Sequence, residues 1–262
     1  MMSQNGTLQN AQTSNRRFYD SFWRARRGQV PALMVSHRLK IREFGRLIRA
    51  YAKSGSEVLD VGCGDGRLAA LLARTCRVSA FDYSSKAVED NSRLHPTVRF
   101  FCADALCSPP VEEVARYDLV TCMDVIEHVP FEKQKSLVQH LAIFLKARGI
   151  LVISTPDREQ SLRYKTDPDE PDCEFLRRFE GQPCADCLTA PELDGLLSEH
   201  FEVLVRTSVV PAIRSRAVDL AWKITMFGFG FRGVNWITNV VEAPGKYLVR
   251  LGQKKCVCLT AR

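Results

Sequence analysis

A chain of 262 residues, 45% apolar and 26% charged, is sized for one globular domain with additions and can form an ordinary core. Its net charge of +7 is local: eleven Lys or Arg against two acids lie between Arg16 and Lys53, a segment of +9 that leaves the remainder slightly acidic. That distribution fits one basic face better than a uniformly cationic nucleic-acid binder. No window nears the ~18 uncharged apolar residues of a membrane span. The ten cysteines follow a polar opening without an apolar leader, so they read as reduced thiols of a cytoplasmic protein.

In chain order, residues 1–15 are expected to be a disordered tail and 16–53 a basic helical extension. In the latter, Ile41, Phe44, Ile48 and Tyr51 follow helical spacing, with Arg38, Arg42, Arg49 and Lys53 as a second stripe. The rhythm then changes: SEVLDV, RVSAFD, TVRFFC, YDLVTC and GILVIST alternate with GRLAALLART, SKAVEDNSR and FEKQKSLVQHLAIFLKA. Such alternation predicts βαβ units, a doubly wound and mostly parallel sheet with helices on both faces. The strands are continuous apolar runs, as expected where both faces are covered. Residues 156–186, with four prolines and nine acids, read as a long loop with one helical turn, a solvated face or a lid at the ligand rim. LTAPELDGLL opens a helix on a capping box, Thr189 with Glu192. FEVLVRTSVV is a strand and KKCVCLTAR a final one. The core is therefore expected over 54–210 and 254–262, interrupted by an aromatic and amphipathic helical insert over 211–253.

The first strand ends in VLDVGCGDG, Val58 to Gly66. Glycines there let the backbone turn sharply and let a ligand reach main-chain N–H groups. The spacing is neither the dinucleotide fingerprint nor a P-loop, for Gly62, Gly64 and Gly66 alternate and no phosphate-binding lysine follows. A ligand with an adenosine, no phosphates and a charged amino-acid end suits it.

D-x-G-x-G-x-G after a first strand resembles the opening motif of the class I S-adenosylmethionine-dependent methyltransferases, and the resemblance runs in order to about residue 155. It implies a seven-stranded sheet and S-adenosylmethionine as cofactor. Asp60, Gly62, Cys63 and Gly64 form the turn. Asp82, followed by Tyr83, stands twenty residues after Gly62, where the family's acid accepts both ribose hydroxyls. Asp104, followed by Ala105, matches the acid that meets the adenine amino group. CMDVIEHV is most similar to the ubiquinone-type O-methyltransferases, and places Met123 beside the methionine part of the cofactor. In those relatives an arginine lies sixteen residues ahead of the first-strand valine; here that position is Arg42, on the cofactor carboxylate or in a solvated stripe.

For the chemistry, a hydroxyl acceptor must lose its proton, and His128, directly after the fourth strand, is the candidate general base against a capping or packing role. Asp124, Glu127 and His128 stand at i, i+3 and i+4. Some relatives carry Glu-x-x-Glu-His there and bind a divalent cation; the shorter Asp124 weighs against a metal here. Cys184 and Asp186 replace the histidine and arginine that relatives offer before LTAPEL, and KARG replaces a lysine-proline-glycine-glycine turn, which puts the inherited acceptor in doubt. Cys184 and Cys187 with Cys173 make a weak zinc pattern, outweighed by idle thiols. The expected acceptor is a small or lipid-like hydroxylated molecule. The insert and the basic helices read as an anionic membrane contact, a lid, or a face packed on the sheet or on a second copy as a homodimer. The alternatives are a catalytically idle cofactor-binding interaction module and an N- or RNA-methyltransferase.

Overall fold

The computed structural model describes residues 17–23, 34–180, 185–211 and 245–255. The expected tail, residues 212–244 of the expected insert and residues 256–262 of the expected last strand lie outside the described residues. After a short helix α1 (17–23) and α2 (Met34–Tyr51), the chain alternates: β1 (Glu57–Val61), α3 (Arg67–Leu72), β2 (Arg77–Asp82), α4 (Ser85–Leu94), β3 (Arg99–Cys102) and β4 (Tyr117–Met123). There follow α5 (Phe131–Phe144), β5 (Leu145–Pro156), α6 (Arg158–Leu162), α7 (Asp172–Glu180), α8 (Ala190–Ser198), β6 (Phe201–Pro211) and β7 (Gly245–Lys254).

The seven strands form one sheet in the order β3-β2-β1-β4-β5-β7-β6. β1 to β5 pair in parallel, whereas β7 runs antiparallel to both β5 and β6. The doubly wound architecture expected from the alternation is therefore present. Val58, Leu59 and Val61 are all buried, because helices cover both faces of a central strand and alternation has no solvent side to mark. One core gathers Leu137 and Leu141 of α5 with Leu193 and Leu197 of α8. The opposite one gathers Phe44, Leu47 and Ile48 of α2 with Leu68, Ala69 and Leu72 of α3. Strand order reverses between β1 and β4, so a crevice opens beyond their carboxyl ends.

Four expectations need correction. The buried face of α2 is Lys40, Phe44, Leu47 and Ile48, while Tyr51, the helix's last residue, is 42% exposed. Residues 156–186 hold two helices: Asp157 caps α6 by accepting from the Glu159 N–H at 3.0 Å. α7 follows Pro171, with acids in its first turn and Arg177 and Arg178 in its last, as the helix dipole favours. β5 starts at Leu145, earlier than GILVIST, because the chain turns within the strand at Arg148, φ +60°. Residues 245–253 of the expected insert are strand: they form β7, Gly245–Lys254, the last strand among the described residues.

Candidate active site

The glycine turn after β1 is as strained as its sequence implies. Gly62, Gly64 and Gly66 have φ of +67°, +52° and +71°, a region where a Cβ is disfavoured. Space excludes one too: a Cβ on Gly62 would fall 2.3 Å from a Val125 methyl, and one on Gly64 2.8 Å from the Trp23 ring.

Asp82, at the end of β2, ties the turn to the next loop. Its Oδ2 accepts from the Gly64 N–H and its Oδ1 from the Ser84 N–H, each at 2.9 Å. Burial raises the Asp82 pKa against the pull of those two bonds. Asn91 of α4 completes the clamp, donating to the Gly64 carbonyl at 2.8 Å. Cys63 is buried beneath, its N–H on the Phe81 carbonyl, and burial pushes its thiol up. Asp60 is 2% exposed; its Oδ1 accepts from the Thr121 hydroxyl at 2.7 Å, and its Oδ2 meets no hydrogen-bond donor within bonding distance among the described residues. Burial, opposed by the Thr121 bond, holds its pKa at about 7. Tyr83 is half-buried at the end of β2. After β3, Asp104 and Ala105 are also half-buried; Asp104 accepts from the Leu106 N–H at 2.8 Å, and the Ala105 carbonyl meets His140 Nδ1 at 2.9 Å.

β4 ends in Met123, partly buried against the α2–α3 core, and then Asp124 at φ +56°. The Asp124 Oδ1 accepts from the Ser154 hydroxyl at 2.8 Å, and its Oδ2 pairs with the Lys40 ammonium. Lys40 is itself 4% exposed, and its Nζ lies 3.6 Å from the Tyr247 ring centroid. Glu127 and His128 follow in a single 3-10 turn, Ile126–His128. Glu127 is buried and accepts from the Thr155 hydroxyl at 3.1 Å. Burial, then Asp124, raise its pKa, while Lys40 and Thr155 oppose them. The His128 Nε2 stands 3.8 Å from the Glu127 Oε1. Asp186 supports this turn, donating its N–H to the Glu127 carbonyl at 2.8 Å and accepting from the Phe131 N–H at the start of α5 at 3.0 Å. The residue that departs from the relatives' pattern thus has a structural task.

α1 bridges the two halves of the crevice. Asp20 accepts from the Ser84 hydroxyl at 2.5 Å, Trp23 lies on Gly64, and the Tyr19 ring sits 5.9 Å from that of His128. The sequence placed α1 in a basic face and missed this aromatic contact, as it missed Lys40, Asn91 and Thr121. Arg42 is half-buried on α2, two residues and about 200° around the helix from Lys40. Of the CxxC pair, Cys187 is buried and Cys184 lies outside the described residues. No group of three metal-type ligands occurs among the described residues, and the described cysteines are free thiols. No described helix is long and apolar enough to cross a membrane.

A glycine turn with no room for a Cβ at Gly62 or Gly64, and an acid at the next strand's end that holds the turn, define a cofactor-binding α/β domain of the nucleotide-binding type. A family model described as "Methyltransferase domain" matches residues 34–187. The chain belongs to this S-adenosylmethionine-dependent methyltransferase family. Among curated proteins it is 35% identical over 112 residues to a ubiquinone biosynthesis O-methyltransferase of Leptothrix cholodnii, a match covering 40% of this chain and 46% of that protein. It is also 35% identical over 117 residues to the Proteus mirabilis protein of the same description, 43% and 46% covered. The chain thus spans about half the length of the curated relatives it matches. Among solved structures it resembles a Haloferax volcanii putative methyltransferase bound to a methyltransferase activator (TM-score 0.63, 14% identity, 91% and 98% covered). It also resembles the N-methyltransferase NodS of Bradyrhizobium japonicum with S-adenosyl-L-homocysteine (0.55, 14%, 83% and 86%). These structural likenesses carry the fold.

Proposed function

We propose that this chain transfers a methyl group from S-adenosylmethionine to a hydroxyl oxygen of a small or lipid-like acceptor, with His128 as general base. The observation that carries the reading is the placement of His128. Its side chain is 21% exposed at the end of β4, one strand over from the glycine turn, and a buried carboxyl stands beside its ring. The curated relatives described as O-methyltransferases support oxygen as the acceptor atom.

The residues fit the cofactor. Asp82 keeps lone pairs beyond the two N–H groups it accepts, enough for a pair of ribose hydroxyls. Asp104 takes the adenine amino group, with Tyr83, Ala105 and Cys63 around the nucleoside, and Arg42 and Met123 serve the amino-acid end. When bound, the cofactor supplies a methyl carbon already activated for in-line displacement. The protein's work is to hold donor and acceptor collinear, exclude water beneath the aromatic face of α1, and remove the acceptor proton at the His128 ring. Burial opposes the charge of Asp60, so a cationic group near the turn would draw off its proton. The exposed Arg46 and Arg49 of α2 support docking on an anionic lipid surface, which flotation with anionic vesicles at low salt reads.

The deciding experiment incubates the protein with S-adenosylmethionine and catechols with and without an alkyl tail, following S-adenosylhomocysteine release and the mass of the acceptor. Oxygen-linked methyl on the acceptor is expected. Tight binding of S-adenosylhomocysteine without turnover on any hydroxylated acceptor would instead establish an idle binding module.

A further inference from the structure

We propose that Lys40 is the resident cation of the acidic turn after β4, so that this chain holds Asp124 with its own ammonium rather than with a divalent metal. Every carboxylate oxygen of the turn faces a group of the chain. Asp124 gives one oxygen to the Lys40 Nζ and the other to the Ser154 hydroxyl. Glu127 gives one to the Thr155 hydroxyl and turns the other toward His128. A Mg²⁺ or Ca²⁺ ion needs several oxygens within roughly 2.0–2.6 Å, and a dication within reach of Asp124 would also lie against a buried ammonium.

The lysine is built in from three sides. α2 carries it inward on the face of Phe44 and Ile48, β7 places the Tyr247 ring against it at 3.6 Å, and β4 brings Asp124. A cation over an aromatic face is stabilised by the ring quadrupole, the more so once desolvated. Through Asp124, Lys40 acts on its neighbours: it fixes a residue in the left-handed region immediately before the turn that carries His128. It is a positioning residue. This inference deepens the methyl-transfer reading, since it concerns the turn of the proposed base, but its test needs no turnover.

The test is calorimetric titration of Mg²⁺, Mn²⁺ and Zn²⁺ into the full chain, with thermal unfolding alongside. The wild-type protein should give no saturable heat and no shift, and chelator should leave both unchanged. Lys40→Met should acquire binding of one divalent ion, and adding Asp124→Asn should abolish it. Lys40→Ala, which also vacates the Asp124 oxygen, serves the same comparison where the methionine variant unfolds. Stoichiometric ion binding by the wild-type protein that Asp124→Asn removes would overturn the proposal. So would a folded Lys40→Met or Lys40→Ala that binds no ion. Loss of methyl transfer with intact ion results would count against the function alone.

Discussion

Replacing Asp60 by asparagine probes how the fold tolerates an acid beneath the glycine turn. In the folded chain burial raises the pKa of this carboxyl to about 7, against an ordinary value of 3.8. The native state therefore keeps a proton that the unfolded chain loses, and stability falls as pH rises between about 4 and 7. A gap of about three pH units corresponds to about 4 kcal/mol lost above neutrality, an order-of-magnitude figure. Asparagine does not titrate, and its amide oxygen still accepts from Thr121. Its NH₂ would stand where Oδ2 now meets no donor among the described residues, at about 1–3 kcal/mol. That cost is independent of pH, so it cancels when each protein is compared with itself. Urea unfolding of cofactor-free wild type and Asp60→Asn at pH 5 and pH 8 isolates the effect. The wild type should lose about 3 kcal/mol more than the variant between the two pH values, the rest of the effect lying below pH 5, after all other titrations cancel. Parallel profiles would refute a buried, proton-holding Asp60.

Asp82→Asn should weaken S-adenosylhomocysteine binding about 10- to 100-fold by calorimetry, since bonds to a charged acceptor contribute roughly 1.5–3 kcal/mol; unchanged affinity would remove Asp82 from the ribose. His128→Gln should lower kcat about 10²- to 10⁴-fold while S-adenosylhomocysteine binds as before; equal losses in binding and rate would make it structural. Gly64→Ala, at φ +52° and against the Trp23 ring, should cost about 1–2 kcal/mol for the left-handed backbone and more for the collision. Trp23→Ala should relieve the second part in a double-mutant cycle, whereas strict additivity would place Trp23 elsewhere.

The sequence displayed what depends on neighbours in the chain. Gly62, Gly64 and Gly66 are legible because few other residues adopt their backbone angles, and β1 to β5 because strands covered on both faces are apolar throughout. Lys40 was hidden for the opposite reason. A buried lysine and a solvated one look alike until Asp124, 84 residues away, is brought beside it. β7 was read as part of the insert because KYLVRLGQK carries Arg250 in its middle, which breaks the apolar run. In the fold Arg250 is 4% exposed and bonded to Asp194 at 2.5 Å, so the charge is satisfied by α8 and the strand stands. CVCLT, more apolar, was the better-looking candidate. The helices in 156–186 escaped notice because prolines that end one element also begin the next, as Pro171 does for α7.

The reversed direction of β7 has an evolutionary corollary. Pro211 pairs with Gly245 across β6 and β7, and Tyr247 pairs with Pro156. The chain thus departs and returns on the same rim as the donor crevice, at two adjoining points. Exchange of residues 212–244 between homologous chains therefore joins at two paired residues and leaves every described strand outside the exchanged span.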